Sequence, residues 1–360
     1  MAARLVAVLP MNEALDSEAA AAIAVGLPVV RFTFLDSLEV DFRHSTWHPP
    51  AVTAAGKEGG VDGGGVGGRL LPPPLRGLHR GFMLSEERYS ELYQQFLADH
   101  NIRLVTSPQA YARAHYYPNA YPYIRAFSPR SCWCAVPDRA RVDEAMFGEC
   151  VDTVRSWGCA NVMLKDYVKS AKPQLVKVPV DGWKSLAECA VELVRLRGTR
   201  FNRGVVFKEH FPMHFHKNEW RLWFVWGRLL SCDYNSEDSM LPETARVPSE
   251  LRQAAASSAA QLGPFVTVDF AQAKDGSWFC LEAGDGGVSG PAVSQDLRKF
   301  WAGLKSNFEM SSGDDAEGNS GGVEPILSPS ATLTGAPSKI VIDIHRKVLG
   351  RLCADEATGD

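Results

Sequence analysis

The apolar positions of this chain first fall into a strand–helix alternation. Leu5 to Leu9 is a short apolar run that reads as a strand. An alanine-rich helix follows, with Asp16 or Ser17 as N-cap and Gly26 as its stop. Pro28 to Leu35 reads as a second strand. Ser85 caps an amphipathic helix whose Tyr89, Leu92, Tyr93, Phe96 and Leu97 fall on one stripe, with Glu86 and Glu87 at its positive end. Ile102 to Val105 resumes a strand. The pattern predicts an α/β domain over residues 1–125.

Later the spacing changes. Asn161 to Leu164 is a strand ending at Lys165, and Trp183 to Arg197 is a helix stopped by Gly198. Val205 to Phe207 is a strand running into Lys208 and Glu209. Trp220–Trp226 with Leu229–Tyr234, and Phe265–Gln272 with Ser277–Ala283, read as two hairpins. A second domain over 126–305 follows from this pattern.

Two stretches break the periodicity. Residues 53–74 are rich in glycine and end in Pro72, Pro73 and Pro74. Gly63, Gly65 and Gly68 match G-x-G-x-x-G, but no strand precedes them and no helix follows, so the reading is a flexible surface loop rather than a phosphate loop. Residues 306–338 are rich in Gly, Ser, Asp and Pro and are expected to be disordered. The mixed apolar and basic segment 339–360 has no assignable role beyond contact with a protein partner.

Composition narrows the function classes. Net charge is −4 at pH 7, without the basic excess of nucleic-acid binders. No apolar run approaches the roughly 18 residues of a membrane helix. The eight cysteines lack framework spacing and read as reduced thiols of a cytoplasmic protein. Cys132-Trp133-Cys134 is too tight for zinc and reads as structural.

Chemistry concentrates in the last hairpin. Asp275-Gly276 is a two-residue turn signal, and Asp269 and Glu282 lie equally far from it, so they should oppose each other on neighbouring strands. Like charges so placed destabilise a sheet, and a divalent cation between them removes that cost. Magnesium suits two carboxylates with phosphate and water oxygens, and Asp285 is a candidate third ligand. A solvated pair on an exposed sheet face is the alternative.

Four motifs then appear in the order of the ATP-grasp superfamily, which the second part resembles. They are Val162-Met163-Leu164-Lys165, Val205 to Phe211, Asn218-Glu219-Trp220-Arg221, and Val268-Asp269 with Leu281 to Asp285. Gly77 to Leu84, Thr106 to Tyr111 and Glu282 to Pro291 are similar to segments of the R-two-K clade. The resemblance implies a Rossmann-like domain preceding a two-lobed, α+β nucleotide-binding domain. It implies that ATP and Mg2+ are bound, with Lys165 on the phosphates, Phe207, Lys208 and Glu209 at the adenine, Glu219 at the ribose, and Asp269, Glu282 and Asp285 on the metal. Arg221 and Arg80 are candidates for an anionic substrate or the γ-phosphate, because a guanidinium fork matches both. Two positions depart from the family. Gly284 stands where an asparagine is common, and Thr267 where an arginine often stands.

The implied reaction is ligation, in which ATP activates a small-molecule or peptide carboxylate as an acyl phosphate and an amine displaces phosphate. A kinase on the same fold and a nucleotide-gated assembly protein are the alternatives. His210, His214 and His216 fit a lid loop over the nucleotide better than a zinc site.

Overall fold

A computed structural model describes residues 5–34, 38–41, 73–168, 177–213, 218–235 and 246–310. The glycine-rich insert up to residue 72, His214, His216 and everything after residue 310 lie outside the described residues. The chain divides into two compact units. One takes the residues up to Tyr111 with Gly287–Gly290 and the segment from Asp296; the other takes Ala112–Gly286 with Pro291–Gln295.

In the first unit the chain runs β1 (Leu5–Pro10), α1 (Asp16–Ala24), β2 (Val29–Phe34), β3 (Leu38–Asp41), β4 (Leu75–His79), α2 (Glu86–His100) and β5 (Ile102–Leu104). The sheet order is β3-β2-β1-β4-β5. All neighbours are parallel except the edge strand β3. Helix α2 starts as its sequence dictates, since the Ser85 hydroxyl accepts the Arg88 amide at 3.3 Å. It buries Tyr89, Leu92 and Phe96 against the sheet and ends at Asn101, left-handed at φ 52°. Gly77 is required by packing: a Cβ there would lie 2.6 Å from the Ile102 side chain.

Helix α3 (Pro108–His115) leads into the second unit, which continues α4 (Tyr117–Ile124), β6 (Ser131–Ala135), α5 (Gly148–Ser156), β7 (Asn161–Asp166), β8 (Val178–Pro179), α6 (Leu186–Arg197), β9 (Gly204–Glu209), β10 (Glu219–Val225), β11 (Arg228–Tyr234), α7 (Ser249–Leu262), β12 (Phe265–Gln272) and β13 (Trp278–Asp285). These strands form two antiparallel sheets, β6-β9-β7-β8 and β11-β10-β12-β13. The first buries Cys132, Val162, Leu164, Val205 and Phe207 against α5 and α6. The second buries Leu222, Phe224, Val266, Val268 and Phe270 against α4 and α7.

The last helix, α8 (Leu297–Met310), belongs to the first unit rather than to the second part of the chain. Its Phe300, Trp301, Leu304 and Phe308 are buried, and Lys305 donates to the Val25 carbonyl at 3.0 Å. Helix α6 starts later than its apolar spacing predicts. A capping box between Ser185 and Glu188 fixes the start, leaving Trp183 91% exposed ahead of it. The tight Cys132-Trp133-Cys134 run is a strand: the two cysteines face α5 and α6 while Trp133 faces the opposite core. All seven cysteines among the described residues are free.

Candidate active site

The second sheet has one apolar face against α4 and α7 and one face that turns polar at one end. On that face Arg221 of β10 opposes Asp269 of β12, and Asp269 opposes Glu282 of β13. Glu219 lies two residues before Arg221 and so shares the face. The Arg221 guanidinium holds Asp269 with both prongs, at 2.9 and 2.6 Å. Asn235 donates to Glu219 at 2.9 Å. Burial, and then the Asp269 charge, push the Glu219 carboxyl up to about 7.

The first sheet contributes two lysines. Lys165 pairs with Val206 and Lys208 with Met163, which puts both ammonium-bearing side chains on the face opposite α5 and α6. Lys165 Nζ lies 3.3 Å from Glu282 Oε2, and Lys208 Nζ donates to the carbonyls of Cys280 and Leu281. Both ammonium groups sit over the Tyr117 ring, at 4.9 and 5.0 Å from its centroid. The Tyr117 hydroxyl is bonded to Ser131 at 2.9 Å. Burial lowers the Lys208 pKa to about 8, with Lys165 adding to the effect against the pull of Cys280 and Glu282.

The Asp269–Glu282 opposition arises from two offsets. At the tip, Gln272 opposes Trp278 and the Ala273 amide donates to Ser277, with Gly276 left-handed at φ 82°. This loop is one residue longer than the two- or four-residue turn read from the sequence. Continued regularly, it would put Leu281 across from Asp269. A β-bulge inserts Leu281 as an extra residue and restores Glu282 to that place. The carbonyls that Lys208 caps are those of the bulge and of the residue before it.

Residues 153–304 match the profile of an ATP-grasp domain of the R-two-K clade, family 3. This chain carries an ATP-grasp domain. Among solved structures it is similar to an ATP-grasp RimK-domain protein from Sphaerobacter thermophilus, at 19% identity and TM-score 0.50, over 85% of this chain and 99% of that one. It is also similar to a D-cycloserine synthetase (16%, TM-score 0.49, 84% and 99%) and to a D-alanyl-alanine synthetase from Vibrio cholerae (11%, 0.48, 86% and 99%). At 19% identity the first of these likenesses speaks for the fold alone. A comparison with curated proteins finds no match.

Within the ATP-grasp domain, Lys165, Lys208, Glu219, Arg221, Asp269 and Glu282 come together. Four predicted positions do not join them. Phe207 is fully buried on the α5–α6 face, and its backbone lies inside the sheet between Cys132 and Leu164. Glu209 shares that face and is held by Arg130 at 2.8 and 2.7 Å. Both therefore lie on the face turned away from the cluster, and Lys208 is the one residue of the predicted adenine hinge that joins it. Asp285 opposes Val266, three residues along from Asp269, and therefore points to the opposite side of the sheet. Among the described residues no group of three or more metal-ligating side chains gathers.

Arg80 lies in the first unit, outside the ATP-grasp domain. It is 1% exposed, paired with Glu18 of α1 at 2.8 and 2.7 Å, and donates to the Ser289 carbonyl at 2.6 Å. Its neighbour His79 is buried against Phe32 and Tyr89, and burial drives its pKa down to about 3. Sequence reasoning missed Tyr117, the platform under both lysines. Its only sequence signal is its place in an aromatic helix. An open groove of about 610 Å³, lined by Asp138, Arg139, Thr199, Phe201 and Arg203, lies elsewhere on the second unit.

Proposed function

We propose that this protein is an ATP-dependent carboxylate–amine ligase, which activates a small-molecule or peptide carboxylate as an acyl phosphate. The observation that carries this reading is the convergence of two lysines from one sheet upon β13 of the other, beside the opposed Asp269 and Glu282. The family profile supports the nucleotide, and the chemistry of the cluster supports phosphoryl transfer, which needs positioned phosphates and neutralised charge rather than a protein nucleophile.

The donor set suits magnesium. Two carboxylates stand on adjacent strands, and the Glu282 side chain keeps 20% of its surface exposed. Asp269 and Glu282 would hold the ion. Magnesium bound there supplies Lewis-acid charge to phosphate oxygens. Lys165 exchanges Glu282 for the phosphates. Arg221 keeps the Asp269 carboxylate oriented and carries the charge that draws an anionic substrate. Glu219 takes the ribose hydroxyls, as the resemblance implies.

The melting temperature with and without Mg-ATP tests this. Ligand at about 100 times its Kd should stabilise the native protein by roughly 2.7 kcal/mol, and Asp269→Asn/Glu282→Gln should abolish the shift. No shift in the native protein removes the nucleotide site. Phosphate release that needs both a carboxylate and an amine marks a ligase; release of ADP with a single acceptor marks a kinase instead.

A further inference from the structure

The counter-ions of the acids carry an inference that rests on the nucleotide reading above. Each candidate metal ligand already holds a cation. Asp269 is taken by both prongs of Arg221, and Glu282 by Lys165. Lys208 adds a third cation on the same side of β13. These groups are enclosed: Lys165 is 5% exposed, Lys208 3% and Asp269 2%. Of the acids on this face, Glu219 is held by Asn235.

We propose that Lys165 masks Glu282 in the ligand-free protein, so that a divalent cation gains its full site only when nucleotide phosphate has drawn Lys165 away. A bare divalent cation arriving alone meets carboxylates already neutralised by Arg221 and Lys165, with Lys208 beside them, in a place of low effective dielectric where like charges repel far more strongly than in water. A polyphosphate meets the reverse. It offers Lys165 a partner at least as strong as Glu282, and the carboxylate it uncovers then attracts the metal. Metal and nucleotide therefore assist each other, and by linkage the assistance is equal in both directions.

The two lysines divide the work. Lys208 donates to backbone carbonyls, which no ligand exchanges for phosphate, so it stays and holds the bulge that sets Glu282 opposite Asp269. Lys165 is bonded to a carboxylate and can change partners.

Mn2+ is the probe, titrated into the full chain without nucleotide and followed by electron paramagnetic resonance. Lys165→Met should bind Mn2+ at least tenfold more tightly than the native protein. Lys165→Arg, which keeps the charge, should remain as weak as the native protein. Adding Glu282→Gln to Lys165→Met should cancel the gain. If Lys165→Met does not fold, Lys165→Gln puts the same question with a polar tip. Equal Mn2+ affinity in the native protein and a folded, uncharged variant overturns the masking. The ligase reading fails separately, when the native protein takes no stability from Mg-ATP. A native protein that responds to Mg-ATP while Lys165→Met gains no Mn2+ affinity keeps the nucleotide site and loses the mask.

Discussion

Two buried arginine–carboxylate pairs, one in each unit, have nearly the same geometry and different surroundings. Arg80 and Glu18 meet at 2.8 and 2.7 Å, and Arg221 and Asp269 at 2.9 and 2.6 Å. The first pair joins Arg80 to Glu18. Arg80 also donates to the Ser289 carbonyl and lies over the Phe300 ring, and both side chains are 3% exposed or less. Around the second pair lie Glu219, Glu282, Lys165 and Lys208: Lys165 pairs with Glu282, while Lys208 is held by backbone carbonyls and Glu219 by Asn235. A bidentate pair is therefore not in itself a mark of function. A cluster of further ionisable neighbours, among them a Lys165 whose carboxylate partner can be exchanged, is the distinguishing feature.

The sharpest way to break the comparison is to remove one member of the first pair. Arg80→Met leaves Glu18 as an uncompensated buried charge and should cost about 3–5 kcal/mol in urea denaturation. Arg80→Met/Glu18→Leu should recover most of that loss, since an apolar replacement of a whole buried pair is often neutral. Failure of the double change to recover stability would mean that the pair does more than fill and balance the interior. The second pair should respond differently. Asp269→Asn/Glu282→Gln also leaves a buried guanidinium, Arg221, without its carboxylate and should cost stability, but in addition it should abolish the roughly 2.7 kcal/mol gained from saturating Mg-ATP, read as a lost shift in melting temperature.

The sequence made the local elements legible where a single local signal decides them. The Ser85 cap and the Tyr89–Leu92–Phe96 stripe predict α2 closely. Gly227 between two apolar runs likewise marks the β10–β11 hairpin, whose turn takes Trp226 as well, both residues at positive φ. The Asp269–Glu282 opposition was legible only because an unforeseen longer loop and an unforeseen bulge cancel. The face to which a strand residue points was harder. Phe207, Glu209 and Asp285 stand in the right motifs, yet strand alternation turns them away from the cluster. Arg80 was misread because Glu18 lies 62 residues away, and nothing local announces such a partner. The masking of Glu282 by Lys165, 117 residues apart, was hidden for the same reason.

The smallest expected effect sharpens the comparison through pH, at Glu219. Its carboxyl is pushed from 4.5 up to about 7, chiefly by burial and then by Asp269. A folded-state pKa raised above the unfolded one contributes stability that is fully present below about 4.5 and is lost as pH rises through about 7. The native protein should therefore lose stability over that window. Glu219→Gln keeps an acceptor for Asn235 and has no proton to lose, so its advantage over the native protein should grow between pH 5 and pH 8. One pKa unit corresponds to about 1.4 kcal/mol. Glu219 is only half-buried, and solvent screening brings the expected gain to about 1–2 kcal/mol. Urea midpoints at the two pH values measure it. A native-to-variant difference that stays constant across the window would place Glu219 in the same class as the Arg80–Glu18 pair, held for structure and not poised near neutrality.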